Sequence, residues 1–281
     1  MPALPFNSLW PLLRNLCRPA RAMLPEHAAS MALAEWPQAW QQQHQDFTGV
    51  KSGLSFGYLP LQSAQLASML QPAFGPSIVG LVHVSQHLQR FCDITQLSTT
   101  PLRIDTSWQA APRASGRGCF LDCQQRMYNQ TTGAIVLAGH SRYLSKLNWH
   151  TPNLNTAATL TKPDSTEAFV VHETHSLDLQ QGRQYARLSG DWNPIHLGHW
   201  PARLFGLPTA IIHGAYLVSL LERTSAQPLA QLDVQFLKPV RYQQPFQLGV
   251  SSSGLWQIRQ GDVLCLSATL QPASSALAQA D

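Results

Sequence analysis

The stretch Ala210–Arg223 is apolar on nearly every side, with Ile211, Ile212, Ala215, Tyr216, Leu217, Val218, Leu220 and Leu221 spread around the helical wheel. A helix without a polar stripe has no face to give to water, so the rest of the chain must enclose it. The residues that follow are suited to that task. Leu232, Val234 and Phe236 recur with a period of two, and so do Phe246, Leu248 and Val250. Trp256 and Ile258 enter a hairpin that turns at Gln260-Gly261-Asp262 and returns through Leu264, Leu266, Ala268 and Leu270. The pattern predicts an α+β fold in which a curled antiparallel sheet wraps one buried helix. Upstream, Asp178 and Gln181 have the spacing of a capping box, and a short helix through Tyr185 and Leu188 is expected to stop at Gly190. Asp191 to Leu207 reads as loop with one helical turn.

The first half repeats this order. Leu59–Leu70 reads as a helix preceded by Gly57-Tyr58-Leu59-Pro60, and Leu81 to Gln86 alternate before Arg90-Phe91. Pro101-Leu102-Arg103-Ile104-Asp105 parallels Pro245-Phe246-Gln247-Leu248-Gly249, and the stretch Thr132–Ala138 parallels Gln260–Leu266. Order and periodicity match where identities do not, which points to a duplication. The repeats are expected at residues 1–150 and 166–281, divided in Asn148–Thr166, a stretch of Asn, Thr, Ser and Pro with no apolar period.

A chain of 281 residues accommodates two such units. Its net charge of +4, from 19 basic and 15 acidic residues, is too mild and scattered for a nucleic-acid footprint. It suits an anionic carrier such as coenzyme A or an acyl carrier protein. Cys17, Cys92, Cys119, Cys123 and Cys265 are an odd, widely spread set, expected as reduced thiols in a cytoplasmic protein. Cys119 and Cys123 are spaced to share one side of a strand. The first 24 residues carry Arg14, Arg18 and Arg21, with prolines interrupting every apolar run, and read as a docked segment rather than a signal or anchor. No run approaches the ~20 apolar residues that span a bilayer.

Chemistry concentrates at Asp191-Trp192-Asn193-Pro194-Ile195-His196, followed eighteen residues on by Gly214 behind His213. A carboxylate and an imidazole near one another, with a glycine amide at the first turn of a buried helix, suit reaction at a thioester carbonyl. The first repeat has no counterpart of Asp191 or His196. The pairs His196/His199 and His172/His175 have metal-ligand spacing but no carboxylate cluster beside them, so neither metal nor cofactor is expected.

The motif from Tyr185 to His196, with Ala202, Gly206 and His213-Gly214 downstream, resembles the MaoC-like, or hydratase 2, family. Similarity runs from about Asp178 to Val240 and includes Phe236-Leu237-Lys238-Pro239-Val240. The first half resembles the degenerate first repeat of the family's double-hot-dog members, which bind the acyl chain without catalysing. The resemblance implies reversible hydration of a trans-2-enoyl thioester, on CoA or a carrier protein, to an (R)-3-hydroxyacyl thioester in fatty acid metabolism. Asp191 and His196 would then be the acid/base pair and the Gly214 amide the oxyanion donor, with Asn193 and His213 supporting the loop and substrate. It further implies a pseudo-dimer within one chain, paired again as a homodimer. An alternative is a non-catalytic acyl-thioester-binding or scaffolding subunit; a thioesterase on the same fold is a third. The sequence departs from the family at Leu197-Gly198-His199-Trp200-Pro201, where an acid and proline are common, and at Glu222, where a small hydroxyl residue is common.

Overall fold

The computed structural model describes residues 27–50, 53–76, 78, 81–94, 97, 99–113, 118–145 and 166–273. The expected docked segment at the N-terminus, Cys17 and the boundary stretch up to residue 165 lie outside the described residues. In chain order the elements are β1 (His27–Leu33), α1 (Gln38–Thr48), α2 (Leu54–Leu70), β2 (Val82–Arg90), β3 (Leu102–Pro112), β4 (Cys119–Asn129) and β5 (Ile135–Ser145). Then follow β6 (Phe169–His175), α3 (Leu179–Ser189), α4 (His199–Leu204), α5 (Gly214–Arg223), β7 (Leu229–Phe236), β8 (Phe246–Ser251), β9 (Trp256–Gln260) and β10 (Val263–Pro272).

All ten strands form one sheet in the order β1-β3-β4-β5-β2-β7-β10-β9-β8-β6. The two halves of that order are mirror images in connectivity, and they meet where β2 pairs antiparallel with β7 from Ser85↔Gln235 to Gln89↔Gln231. At this seam His87 Nδ1 lies 2.6 Å from Asp233 Oδ1. Side chains from the inner faces, among them Leu88, Ile104, Leu137, Leu232, Leu248 and Leu266, are buried against α2 and α5. Each such leucine or isoleucine contributes about 1.5–3 kcal/mol when removed from water. The fold is thus α+β, with buried helices inside a curled antiparallel sheet.

Local chemistry explains several boundaries. The Asp178 carboxylate accepts the Gln181 N–H at 2.8 Å, while Gln181 Oε1 accepts the Asp178 N–H at 2.9 Å. This reciprocal cap starts α3, and Gly190 ends it with φ 73°, a left-handed position that costs glycine little. The β9–β10 hairpin closes over Gly261-Asp262, with Gln260 opposite Val263. Cys119 and Cys123 both lie buried on β4, and Cys92, Cys119, Cys123 and Cys265 are free thiols.

Two expectations require correction. α2 begins at Leu54, so Gly57-Tyr58-Leu59-Pro60 lies within the helix rather than before it. Pro60 has no N–H to return to the preceding turn and reads in sequence as a helix start. The loop from Asp191 to Leu207 also contains more than one turn: a 3₁₀ turn at Pro194–His196 and the separate helix α4 behind Gly198.

The early start of α2 depends on a distant residue. Glu222, near the end of α5, accepts the Leu54 N–H on Oε1 at 2.7 Å and the Ser55 N–H on Oε2 at 2.8 Å. These amides belong to the first turn, which has no intrahelical acceptors, and a carboxylate complements the positive end of the helix. Gly53 makes room for it. Its backbone is extended, which any residue adopts, but an added Cβ would lie 2.0 Å from Glu222 Oε1. Burial pushes the Glu222 carboxyl above its ordinary range, against the opposing pull of the two amides and the Arg90 charge. The end of one central helix is therefore fixed to the start of the other.

Removing that acceptor leaves two buried N–H groups unsatisfied. Glu222→Ala should destabilise the fold by about 2–4 kcal/mol, and Glu222→Gln, which retains one acceptor, by less. Urea unfolding of the full chain checks both the loss and the order of the two variants.

Candidate active site

The turn after α3 is organised by its own side chains. Ser189 Oγ accepts the Asp191 N–H at 3.2 Å, and Asp191 Oδ1 accepts the Asn193 N–H at 3.1 Å. Asn193 Oδ1 then accepts the Ile195 N–H at 3.3 Å, capping the 3₁₀ turn that Pro194 initiates. Asn193 itself has φ −57° and ψ 123°, the extended geometry favoured before proline. This succession of short turns directs Asp191 and His196 towards the start of α5.

His196 is oriented by the segment leading into α5. Its Nδ1 donates to the Ile211 carbonyl at 2.8 Å, and the Ile211 N–H returns a bond to the Ile195 carbonyl at 3.1 Å. Because a carbonyl can only accept, Nδ1 carries a proton, and of the two neutral tautomers the contact selects the one with its lone pair on Nε2. His213 stacks on His196, with ring centroids 4.0 Å apart and planes inclined by 26°. Its Nε2 donates to the backbone carbonyl of Asp191 at 3.1 Å. Burial first, and then the neighbouring His196, hold the His213 pKa well below the usual imidazole value, so His213 remains neutral. Its Nδ1 faces the Tyr242 hydroxyl at 3.5 Å, and Gly182 makes space for that phenol, since a Cβ there would stand 2.1 Å from the oxygen.

Gly214 is the first residue of α5, where an N–H has no acceptor within its own helix. An added Cβ would meet Phe236 Cε1 at 3.0 Å, so the glycine allows close packing beside the amide. The remaining partner comes from the other half of the molecule. Gln62, on α2, donates from Nε2 to Asp191 Oδ2 at 3.2 Å. Asp191, His196, His213, Asn193 and Gly214 therefore share one neighbourhood, joined by Gln62, Tyr242 and the Ile211 carbonyl. Sequence spacing carries no signal for these last three groups. Glu222 neither faces this neighbourhood nor reaches solvent, because its carboxylate is bound at the start of α2.

A carboxylate oxygen of Asp191 and one ring nitrogen from each of His196 and His213 lie within 4.8 Å of one another. Such a cluster is small enough for a cation, but its hydrogen bonds oppose that use. His213 places its proton towards Asp191 and its lone pair towards Tyr242. The two HxxH pairs do not form a site: His199 accepts the Ala210 N–H, and His175 pairs with Glu173. An open groove of about 380 Å³ lies away from the cluster, over the β2–β7 seam, and includes His87, His140 and Asp233 in its lining.

The fold and this arrangement define a hot-dog protein with two repeats and one polar cluster at the start of a central helix. Residues 158–266 match the family model of the MaoC like domain. A stretch of 83 residues is 39% identical to 3-hydroxyacyl-thioester dehydratase X of Mycobacterium tuberculosis, covering 28% of this chain and 27% of that protein. The matched stretch thus spans about a quarter of the relative's length. Among solved structures, HtdX of Mycobacterium tuberculosis superposes with a TM-score of 0.68 at 19% identity, over 87% of this chain and 100% of that one. A MaoC-like dehydratase of Phytophthora capsici gives 0.65 at 17% identity, over 90% and 99%. At these identities the structural likeness is one of fold. No described helix is long and apolar enough to cross a membrane.

The buried imidazoles make a pH prediction. Burial lowers His44 and His83 to about 4 and holds His213 well below its ordinary range. Below about 6.5, the unfolded histidine value, the unfolded chain takes up protons that the folded chain excludes. Stability should therefore be fully present above that pH and fall as pH drops towards 4, by about 1.4 kcal/mol per pH unit for each histidine. Urea midpoints at pH 7.5, 6 and 5 should decline in sequence; a flat series would contradict the neutral assignment.

Proposed function

We propose that the chain hydrates trans-2-enoyl thioesters reversibly to (R)-3-hydroxyacyl thioesters, with Asp191 and His196 as the acid/base pair. The observation that carries this reading is the fixed tautomer of His196. With Nδ1–H bound to Ile211, Nε2 is the ring's available base, and a ring nitrogen of His196 lies within 4.8 Å of an Asp191 carboxylate oxygen. In this reading one water bridges Nε2 and the carboxylate, since two hydrogen bonds of about 2.8 Å join acceptors roughly 4.4 Å apart.

In the hydration direction, His196 Nε2 takes a proton from that water as its oxygen bonds to the β-carbon. The π electrons move towards the thioester carbonyl, forming an enolate, and a proton from the acid/base pair is then delivered to the α-carbon. The Gly214 N–H, at the positive end of α5, is the donor for the enolate oxygen. The first repeat has no equivalent pair, and in this reading it lines the acyl chain and completes the site without a reaction of its own. The substrate class takes support from the family match and from the dehydratase relative. The carrier is either CoA or an acyl carrier protein.

Loss of enoyl absorbance with crotonyl- to dodecenoyl-CoA, and with the same chains on a carrier protein, tests the reading. Asp191→Asn and His196→Ala should each lower kcat by about 10²–10⁴ while leaving the unfolding midpoint near that of the parent. No turnover on any thioester, or unchanged rates in both variants, would falsify it. Binding of the thioester without turnover would favour the non-catalytic subunit.

A further inference from the structure

We propose that Gln62, on the central helix of the first repeat, is a positioning residue for Asp191 in the second; this rests on the hydratase reading of Asp191. The Gln62 side chain is buried at 8% exposure, on a helix that is itself almost wholly buried. Its Nε2 donates to Asp191 Oδ2 at 3.2 Å, whereas Oε1 is buried without a hydrogen-bond partner among the described residues. The polarity of the amide is thus spent on one contact. Reversing the amide would turn its oxygen towards a carboxylate oxygen, so electrostatics assigns the donor to Asp191.

The two oxygens of Asp191 are held from opposite sides. Oδ1 is fixed by the Asn193 amide within its own turn, and Oδ2 by Gln62 from the other repeat. With only the first contact, the carboxylate can rotate about its Cβ–Cγ bond. With both, its plane is set relative to His196, and the remaining lone pairs are available to a water. Gln62 stands eight positions past the first residue of α2, and Glu222 stands eight positions past the first residue of α5. Equivalent places on the two central helices therefore extend side chains across the repeat boundary. Glu222 satisfies a helix start, and Gln62 fixes the carboxylate beside the other helix start. The first repeat accordingly contributes to the geometry of the reaction as well as to the wall of the site.

The ionisable groups acting on Asp191 come from both repeats. His196 and His213 adjoin it, Tyr185 and Tyr242 lie on the second-repeat side, and Tyr58, His83 and Tyr143 on the first. Burial pushes these phenols up and lowers His83 and His213, so these groups stay uncharged and a new acid at position 62 would face the Asp191 carboxylate.

Full-length Gln62→Met, Gln62→Glu and Asp191→Asn are compared with the parent by steady-state hydration kinetics from pH 5 to 9 and by thermal melting. Gln62→Met keeps the length but removes the donor. Its kcat should fall about ten- to a hundredfold, with KM changed by no more than about twofold and melting little changed. Gln62→Glu should lose more at neutral pH, where two carboxylates oppose each other, and recover as pH falls and the introduced carboxyl becomes a donor. Parental kcat and pH profile in Gln62→Met, beside an impaired Asp191→Asn, would overturn the positioning role, as would a rise in KM alone. An inactive parent would instead overturn the hydratase reading. The contact is then read from the ¹⁵N resonance of the Gln62 side-chain amide: a shift in Asp191→Ala supports the proposal, and an unmoved resonance overturns it.

Discussion

The buried carboxylate of Glu222 at the start of α2 is the constraint on which the rest of the arrangement depends. It joins the end of α5 to the beginning of α2 through two charge-assisted bonds of 2.7 and 2.8 Å. The central helices consequently run antiparallel, and their mutual height is fixed. Eight residues along α2, about 12 Å at helical rise, Gln62 then stands level with the start of α5. It meets Asp191 there. An apolar helix pair has many packings of similar energy, and a paired ionic cap selects one register among them.

The same contact gives the two helix starts different roles. Both expose first-turn amides that no intrahelical carbonyl can satisfy. At α2 the demand is met permanently by Glu222, which lies where a bound anion would otherwise sit. At α5 the first residue is Gly214, flanked by Asp191, His196 and His213. The two central helices thus start differently: one start is filled by a protein carboxylate, and no described side chain is seen to accept the Gly214 N–H at the other. The absence of an acid/imidazole pair from the first repeat and the occupied start of its helix agree with each other.

Much of the second repeat was legible because its determinants are local. Asp178 and Gln181 cap each other across three residues, Gly190 supplies its own left-handed turn, and Gly261-Asp262 closes a hairpin between strands that alternate. Asp191, Asn193 and His196 lie in one run of turns, so their proximity follows from the chain itself. The first turn of α2 was hidden because its cap is 168 positions away, while Pro60 imitates a local start. Glu222 was conspicuous as an acid in an apolar helix, but which way it pointed depended on how the two helices pack. β1 and β6 escaped notice at the sheet edges, as did α1, whose buried Trp40, His44 and Thr48 are defined by contacts beyond their own segment.

Gln62 shows why the remainder of the site was not readable. A glutamine within Leu59–Leu70 has no local partner to distinguish it from the helix's other amides, and its identity as a donor to Asp191 exists only after the repeats have docked. The Ile211 carbonyl is less visible still, since every residue has one; it acquires a role by receiving the Nδ1 proton of His196 and thereby deciding where the lone pair lies. The residues with evident chemistry are consecutive in sequence, whereas the groups that orient them come from α2, from the approach to α5 and from the segment before β8. The duplicated fold therefore does more than double the core. It surrounds the short Asp191–His196 loop with fixed partners from both repeats, and the helix register set by Glu222 brings the most distant of them, Gln62, within bonding distance.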